Sequence, residues 1–297
     1  MKKILAFFRK NAFVLVIVAF WLITDVYFTY NDPFLDKEMF CRDDFELTQL
    51  EHPEKTWDRV FFGNSVVISG YKEDESDTGF VNLGVDCGVV TDLEKMLNKR
   101  LITVGDELVI GMNYLTLYDN FDTNKTYIWH KKWYEPYAYF ERDKIYPIIE
   151  NATFNFLGGY NLVGYWYTDQ HKSVYHGSLT KEELKAKEEI YKERYYSLPD
   201  SEFDENIKAL VNVADYCEKH GIKLRILWMP WNPKAYYPPL CDNLKERVKS
   251  ALEGRNIEIY DMTNSLDARY FHDTGHIEYD SGASVFTNLF DEWAGEK

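Results

Sequence analysis

The chain has 297 residues, 45% of them hydrophobic and 17% aromatic, and a formal charge of −15. That is enough apolar material for one large α/β domain, or for a domain with an extra module. The acidic balance excludes a nucleic-acid partner and any long-range attraction to polyanions.

Lys2, Lys3, Arg9 and Lys10 open the chain with no acid among them. Ala12 to Tyr30 follows, interrupted only by Asp25. As a helix it would span roughly 28 Å, close to the hydrocarbon core of a bilayer. Basic residues precede it and Asp32, Asp36 and Glu38 follow, which predicts a single-pass cell-membrane protein, N-terminus cytoplasmic and body outside. Tyr27, Phe28 and Tyr30 suit the outer aromatic belt, with Asp25 at that interface. A cleaved signal peptide is the rival reading, but it needs small residues at the cleavage site. Thr29-Tyr30-Asn31-Asp32-Pro33 offers none. Residues 1–30 thus read as a cytoplasmic tip and transmembrane anchor, and residues 31–57 as a polar, irregular tether.

From Asp58 onward, strand-like and helix-like pieces alternate. Arg59 to Phe62, Gly79 to Leu83, Leu108 to Met112, Leu224 to Trp228 and Ile257 to Tyr260 are expected as strands. Asp92 to Lys99, Asp204 to His220, Asn243 to Leu252 and Ser281 to Trp293 have helical spacing, and Gly221 is a good helix stop. This alternation predicts an α/β fold over residues 58–297, a mostly parallel sheet flanked by helices. An aromatic-rich insertion at about 114–201 breaks the pattern; it includes Trp129, Trp133, Tyr139 and Trp166, and a charged helical stretch from Lys181 to Tyr196 closes it.

Cys41, Cys87, Cys217 and Cys241 permit up to two disulfides in an exported body, with three connectivities. Cys87 reads equally well as a small buried residue. Without CxxC spacing or nearby histidine pairs, no zinc site is expected.

The chemistry-bearing motifs stand at strand ends. Gly63-Asn64-Ser65 ends the first strand, Asn82-Leu83-Gly84 the second and Gly111-Met112-Asn113 the third, and Asp273-Thr274-Gly275-His276 lies on a loop near the C-terminus. Acyl transfer through serine needs a nucleophile, a base and a group that orients the base. Ser65 supplies the hydroxyl, His276 the base, and Asp273 can reach the other ring nitrogen. Donors for a developing oxyanion would be the Ser65 N–H, the Gly84 N–H and the Asn113 amide. All sit at one sheet edge, where α/β ligand sites belong. A metal reading of His272, Asp273 and His276 is disfavoured, because ligands so spaced usually need a helix. No cofactor is called for.

Serine, glycine, asparagine and histidine in this order resemble the SGNH (GDSL-like) hydrolase superfamily over about residues 58–113 and 223–295. The resemblance implies a flavodoxin-like three-layer sandwich, with Ser65, Gly84, Asn113 and His276 on the four family blocks and Asp273 as the triad acid. Two residues depart from it: Asn64 stands where an aspartate is usual, and Val85-Asp86 is an uncommon continuation of the second block. The Asp273-x-x-His276 ending with Gly282, and Pro230-Trp231-Asn232, are similar to elements of membrane-anchored relatives, the teichoic-acid D-alanine transfer proteins and alginate-type O-acetyltransferases. Such proteins work outside the membrane beside a multipass membrane O-acyltransferase. The expected function is therefore an extracytoplasmic serine esterase or O-acyltransferase acting on a cell-envelope glycan, with aromatic residues of the insertion as a sugar-stacking wall, a packed lid or a membrane-facing surface. The acidic body suits a neutral glycan better than a polyanion. The alternative is a non-catalytic scaffold that binds envelope polymer or the membrane acyltransferase.

Overall fold

Runs rich in Val, Ile, Leu and Phe, each closed by a glycine, a polar residue or proline, set the strands. The computed structural model describes residues 10–31, 43–121, 127–132, 153, 156–158 and 172–295. By internal contacts the chain forms two compact units, residues 1–42 with 125–170, and residues 43–124 with 171–297.

In the first unit, helix α1 (Ala12–Asn31) is long and apolar enough to cross a membrane, a property that a signal sequence would share. Its apolar side chains are open; Phe13 is 77% and Phe20 71% exposed. Asp25 is buried, the one such residue among those described in this helix. A carboxylate on an otherwise apolar helix is costly to leave facing hydrocarbon. Tyr127 stacks on Trp129 at 4.4 Å, and both are buried. Trp133, Tyr139 and Trp166 of the aromatic segment lie outside the described residues.

The second unit begins with a helix where irregular chain was expected. Helix α2 (Asp44–Glu51) starts at a capping box, in which Asp43 accepts from the Glu46 N–H and Glu46 from the Asp43 N–H. It buries Phe45 and Leu47. Eight residues with little apolar periodicity gave no sequence signal; the cap and the packing of α2 on the sheet edge define it. Then follow β1 (Trp57–Gly63), α3 (Ser65–Gly70), β2 (Phe80–Gly84), α4 (Val90–Asn98) and β3 (Val104–Met112). After the segment that leads away from β3 come α5 (Lys181–Arg194), α6 (Asp204–His220), β4 (Lys223–Trp228), α7 (Leu240–Ala251), β5 (Glu258–Asp261) and α8 (Gly282–Gly295). Gly221 ends α6 in the left-handed region at φ 72°, as its position predicts.

The five strands pair in parallel in the order β2-β1-β3-β4-β5. Phe61, Val109 and Leu227 face one side and pack with Val67 of α3 and Phe286 and Phe290 of α8. Phe61 and Phe290 stack at 4.5 Å. The alternate residues Val60, Phe62, Leu108, Ile110 and Ile226 are also fully buried, so the sheet is covered on both faces. From β1 the chain moves outward to β2 and then returns to the other side as β3. That reversal opens a crevice beyond the C-terminal ends of β1 and β3, the general ligand position in this strand order.

At the opposite end of the sheet, Glu107 is buried between two arginines. Arg59 Nη2 and Arg225 Nε each approach its carboxylate at 2.6 Å. The same guanidinium groups donate to the Trp293 and Ala294 carbonyls. Cations on the last carbonyls of α8 stabilise its C-terminus and tie it to the sheet. Cys217 and Cys241 are free buried thiols, and burial pushes both up to about 12. Two disulfides are therefore not formed among the four cysteines; Cys41 lies outside the described residues.

Helix α3 is pressed onto the strand ends. A Cβ on Gly63 would lie 2.3 Å from Val67 Cγ2, and one on Gly84, its register partner, 2.7 Å from the Ile68 amide nitrogen. The second contact is with backbone and cannot be relieved by a rotamer change. Gly84→Ala is expected to destabilise the full chain by about 1–3 kcal/mol through forced displacement of α3, read as a lowered midpoint of urea unfolding; an unchanged midpoint would show that α3 can shift freely.

Candidate active site

Three side chains expected together from sequence are joined by hydrogen bonds in the crevice. Ser65 is the first residue of α3, immediately beyond β1. Its Oγ lies 2.8 Å from His276 Nε2, and His276 Nδ1 lies 2.7 Å from Asp273 Oδ2. The imidazole is half-buried and the carboxylate wholly so. Nδ1 donates to the carboxylate, which leaves Nε2 as the acceptor for the serine hydroxyl.

Loop geometry holds the acid. Asp273 Oδ1 accepts from the backbone N–H of Gly275 at 3.0 Å and of His276 at 2.8 Å. The short Asp-x-x-His spacing therefore closes on itself: one carboxylate oxygen turns the backbone, and the other orients the ring three residues on. Asn232, of the Pro-x-Asn element after β4, donates through Nδ2 to the Asp273 carbonyl and through its N–H to the Thr274 carbonyl. Burial favours the neutral acid, but the hydrogen bond from His276 and the charges of His276 and Lys187 outweigh it. They hold the Asp273 carboxyl well below the usual carboxylate range.

Asn113 follows β3, and its Oδ1 accepts from the Thr116 N–H at 3.0 Å and from Asn64 Nδ2 at 3.2 Å. The backbone donor fixes which end of the amide is oxygen. Nδ2 is left without a partner among the described residues, available to a ligand. Asn64 caps α3 by accepting from the Val66 N–H, and it donates to Asn113 and to Thr116 Oγ1. An aspartate there could not donate; its charge would face Asn113 Oδ1. The asparagine at this position and the orientation of Asn113 thus belong together. The Ser65 N–H, at the first helical position, has no carbonyl within its helix to bond.

Gly84 does not meet expectation. Its N–H is committed to Asn82 Oδ1 at 3.0 Å, an Asx turn at the end of β2. Asn82 Nδ2 in turn donates to the Val67 and Tyr71 carbonyls at the end of α3. The Asn82-Leu83-Gly84 motif secures α3, and among the described residues the donors left open beside Ser65 are its own N–H and Asn113 Nδ2.

Two residues beside the site carried no sequence signal. The Tyr175 ring stacks on the His276 imidazole at 3.9 Å, interplanar angle 28°. Burial pushes its phenol up to about 12. Lys187, on α5, places its Nζ on Asp273 Oδ2. Both come from the segment between β3 and α6, roughly 90 or more residues from the groups they touch, and only the fold brings them in. His272 turns elsewhere, its Nδ1 toward the Gly177 carbonyl at 2.7 Å.

No family model and no curated protein sequence matches the chain. Among solved structures it is similar to a protein from Bacteroides fragilis NCTC 9343 provisionally described as an acylhydrolase, at 14% identity and a TM-score of 0.42, over 82% of this chain and 88% of that one. A likeness of this distance says nothing about chemistry.

Because the carboxyl of Asp273 is depressed on folding, its contribution to stability is complete above the unfolded value of about 3.9 and is lost as pH falls below it. Asp273→Asn is expected to lower the thermal midpoint at neutral pH and to flatten its fall below about pH 4. Parallel midpoint–pH curves for the two proteins would contradict the assignment.

Proposed function

We propose that this chain is a membrane-anchored, extracytoplasmic serine esterase or O-acyltransferase acting on a cell-envelope glycan, with Ser65 as nucleophile, His276 as base and Asp273 as its orienting acid. The observation that carries the reading is the continuous hydrogen-bonded chain from Ser65 Oγ through the imidazole to Asp273. His276 Nε2 takes the hydroxyl proton as Oγ attacks the acyl carbonyl. The Ser65 N–H and Asn113 Nδ2 stabilise the developing oxyanion. His276 then gives that proton to the departing alcohol as the donor ester bond breaks, leaving the acyl group on Ser65. In the second half a sugar hydroxyl or water loses its proton to Nε2 and attacks the acyl-serine, and Ser65 recovers its proton.

The order of the motifs, their placement at strand ends and the sheet order all support membership of the SGNH superfamily. Orientation is argued from charge: Lys2, Lys3, Arg9 and Lys10 precede α1, and acids follow it. A multipass membrane acyltransferase is the natural acyl donor for a body held at the outer face. Transfer rather than hydrolysis requires that the acceptor displace water from the acyl-serine.

Labelling of the full chain with a fluorophosphonate probe tests the nucleophile. Wild type is expected to label at Ser65, with labelling abolished in Ser65→Ala and in His276→Ala; label that survives Ser65→Ala would identify a different nucleophile, and a folded but unlabelled wild type would favour the scaffold reading. Asn113→Ala is expected to slow labelling by about 10²–10³ if its amide is an oxyanion donor. A wild-type rate would remove it from that role.

A further inference from the structure

Asp273 accepts four hydrogen bonds, and one of its partners is unaccounted for by the three-residue chain. Oδ1 is taken by the two backbone amides of its own loop, and Oδ2 is shared between His276 Nδ1 and the ammonium of Lys187. The acid is 0% exposed and the lysine side chain 26%, so the ammonium reaches inward from a solvated helix to a buried anion. Helix α5 presents Lys187 and Tyr191 one turn apart on one face, and Tyr195 is its C-cap residue. Lys187 Nζ lies 6.0 Å from the Tyr175 ring centroid and 5.6 Å from that of Tyr191, and Tyr175 is the residue stacked on the imidazole. Tyr195 packs near Tyr114 and Tyr118, and Glu188 accepts from the Tyr236 N–H at 2.7 Å. These contacts hold α5 on the C-terminal side of Lys187.

We infer that Lys187 is a positioning residue of this site: its ammonium holds Oδ2 of Asp273 where His276 Nδ1 finds it, and it supplies the positive charge that the buried carboxylate would otherwise draw from the imidazole. This rests on the proposed catalytic reading for its kinetic consequence, not for its structural one. The geometric effect follows from sharing one oxygen: with Lys187 removed, Oδ1 stays on its two backbone amides, but Oδ2 keeps only the bond from His276 Nδ1 and loses the second donor that fixes its position. The electrostatic effect has a definite sign. Among the described residues, the groups facing Asp273 and His276 are Lys187, the hydroxyl of Ser65, the phenols of Tyr175, Tyr191 and Tyr196, and, across the Tyr175 ring, His272 and the carboxylate of Asp86. Among them Lys187 is the fixed cation, and a cation beside the carboxylate opposes a second positive charge on the imidazole. Without it, the pH profile of a reaction that uses this imidazole as base is expected to move to higher pH.

The test compares wild type, Lys187→Met and Lys187→Arg in the full chain by the rate of fluorophosphonate labelling between pH 5 and 9. Lys187→Met keeps the apolar stem on a largely solvated helix. It is expected to label roughly tenfold more slowly, well short of the ~10⁴ that loss of a triad acid's carboxylate costs. Its half-maximal pH is expected to rise by on the order of one unit. Lys187→Arg, which keeps the charge, is expected to restore the wild-type half-maximal pH. A Lys187→Met protein with the wild-type rate and pH midpoint overturns the inference, and so does an arginine variant displaced as far as the methionine one. A second readout needs no turnover: in ¹⁵N-histidine-labelled protein the Nδ1 proton of His276, bonded to Asp273, is expected far downfield and displaced in Lys187→Met. An unmoved resonance counts against the inference. An unlabelled wild type with a displaced resonance would instead end the catalytic reading and leave the positioning role standing.

Discussion

Everything at this site depends on how closely helix α3 can approach the ends of β1 and β2. Glycines at 63 and 84 leave no Cβ between the helix and the strands, and Asn82 ties the carbonyls at the end of α3 to the edge strand. The result is a serine on the first turn of a short helix, seated above the point where the strand order reverses. A wider gap would carry Ser65 out of reach of His276, which is anchored independently by its own loop. The reactive geometry is therefore set by backbone proximity more than by any side-chain contact of the serine itself.

The second determinant is the treatment of one buried negative charge. Taking a carboxylate out of water is expensive unless it is paired and hydrogen-bonded. Asp273 meets both conditions, with two backbone amides, an imidazole N–H and an ammonium. Three of those four donors come from its own loop and one from a helix remote in sequence. The loop makes the acid–base pair a local unit, prepared as soon as residues 273–276 turn; the helix adds a charge that only the folded unit can supply. Asn232 serves the same unit from behind by fixing its backbone. Polar groups in three segments thus converge on four residues of chain.

The oxyanion side is built by a different device. Asn113 is not held by packing but by an exchange of hydrogen bonds with Asn64 and Thr116, which spends its oxygen and leaves its NH₂ group unspent. Asn64 thereby does two things, capping the serine helix and setting the direction of a neighbouring amide. The Gly84 amide, by contrast, is consumed by its own turn. Two donors stay open beside Ser65 among the described residues, and the Asn82-Leu83-Gly84 motif is left with an architectural task.

The order of elements, the parallel sheet and the identities of Ser65, His276 and Asp273 could be read from sequence, because strand periodicity is local and Asp-x-x-His is short enough to be its own structure. So could the apolar helix near the N-terminus, whose composition alone marks it. The helix at 44–51 could not, since its stability comes from a cap and from the sheet it covers. Nor could Gly84, whose amide is occupied by a side chain two residues away and whose missing Cβ matters because of Ile68. Lys187 and Tyr175 were illegible for a stronger reason: a lysine on a charged helix and a tyrosine in a loop look like countless others until the chain folds. Sequence by itself determined which residues stand at the strand ends and on the last loop, and that Ser65, His276 and Asp273 are of the types serine chemistry needs. Tertiary structure alone decided which donors are free, which charge faces the buried acid and how the base is held, because those depend on distances between segments that no local pattern encodes.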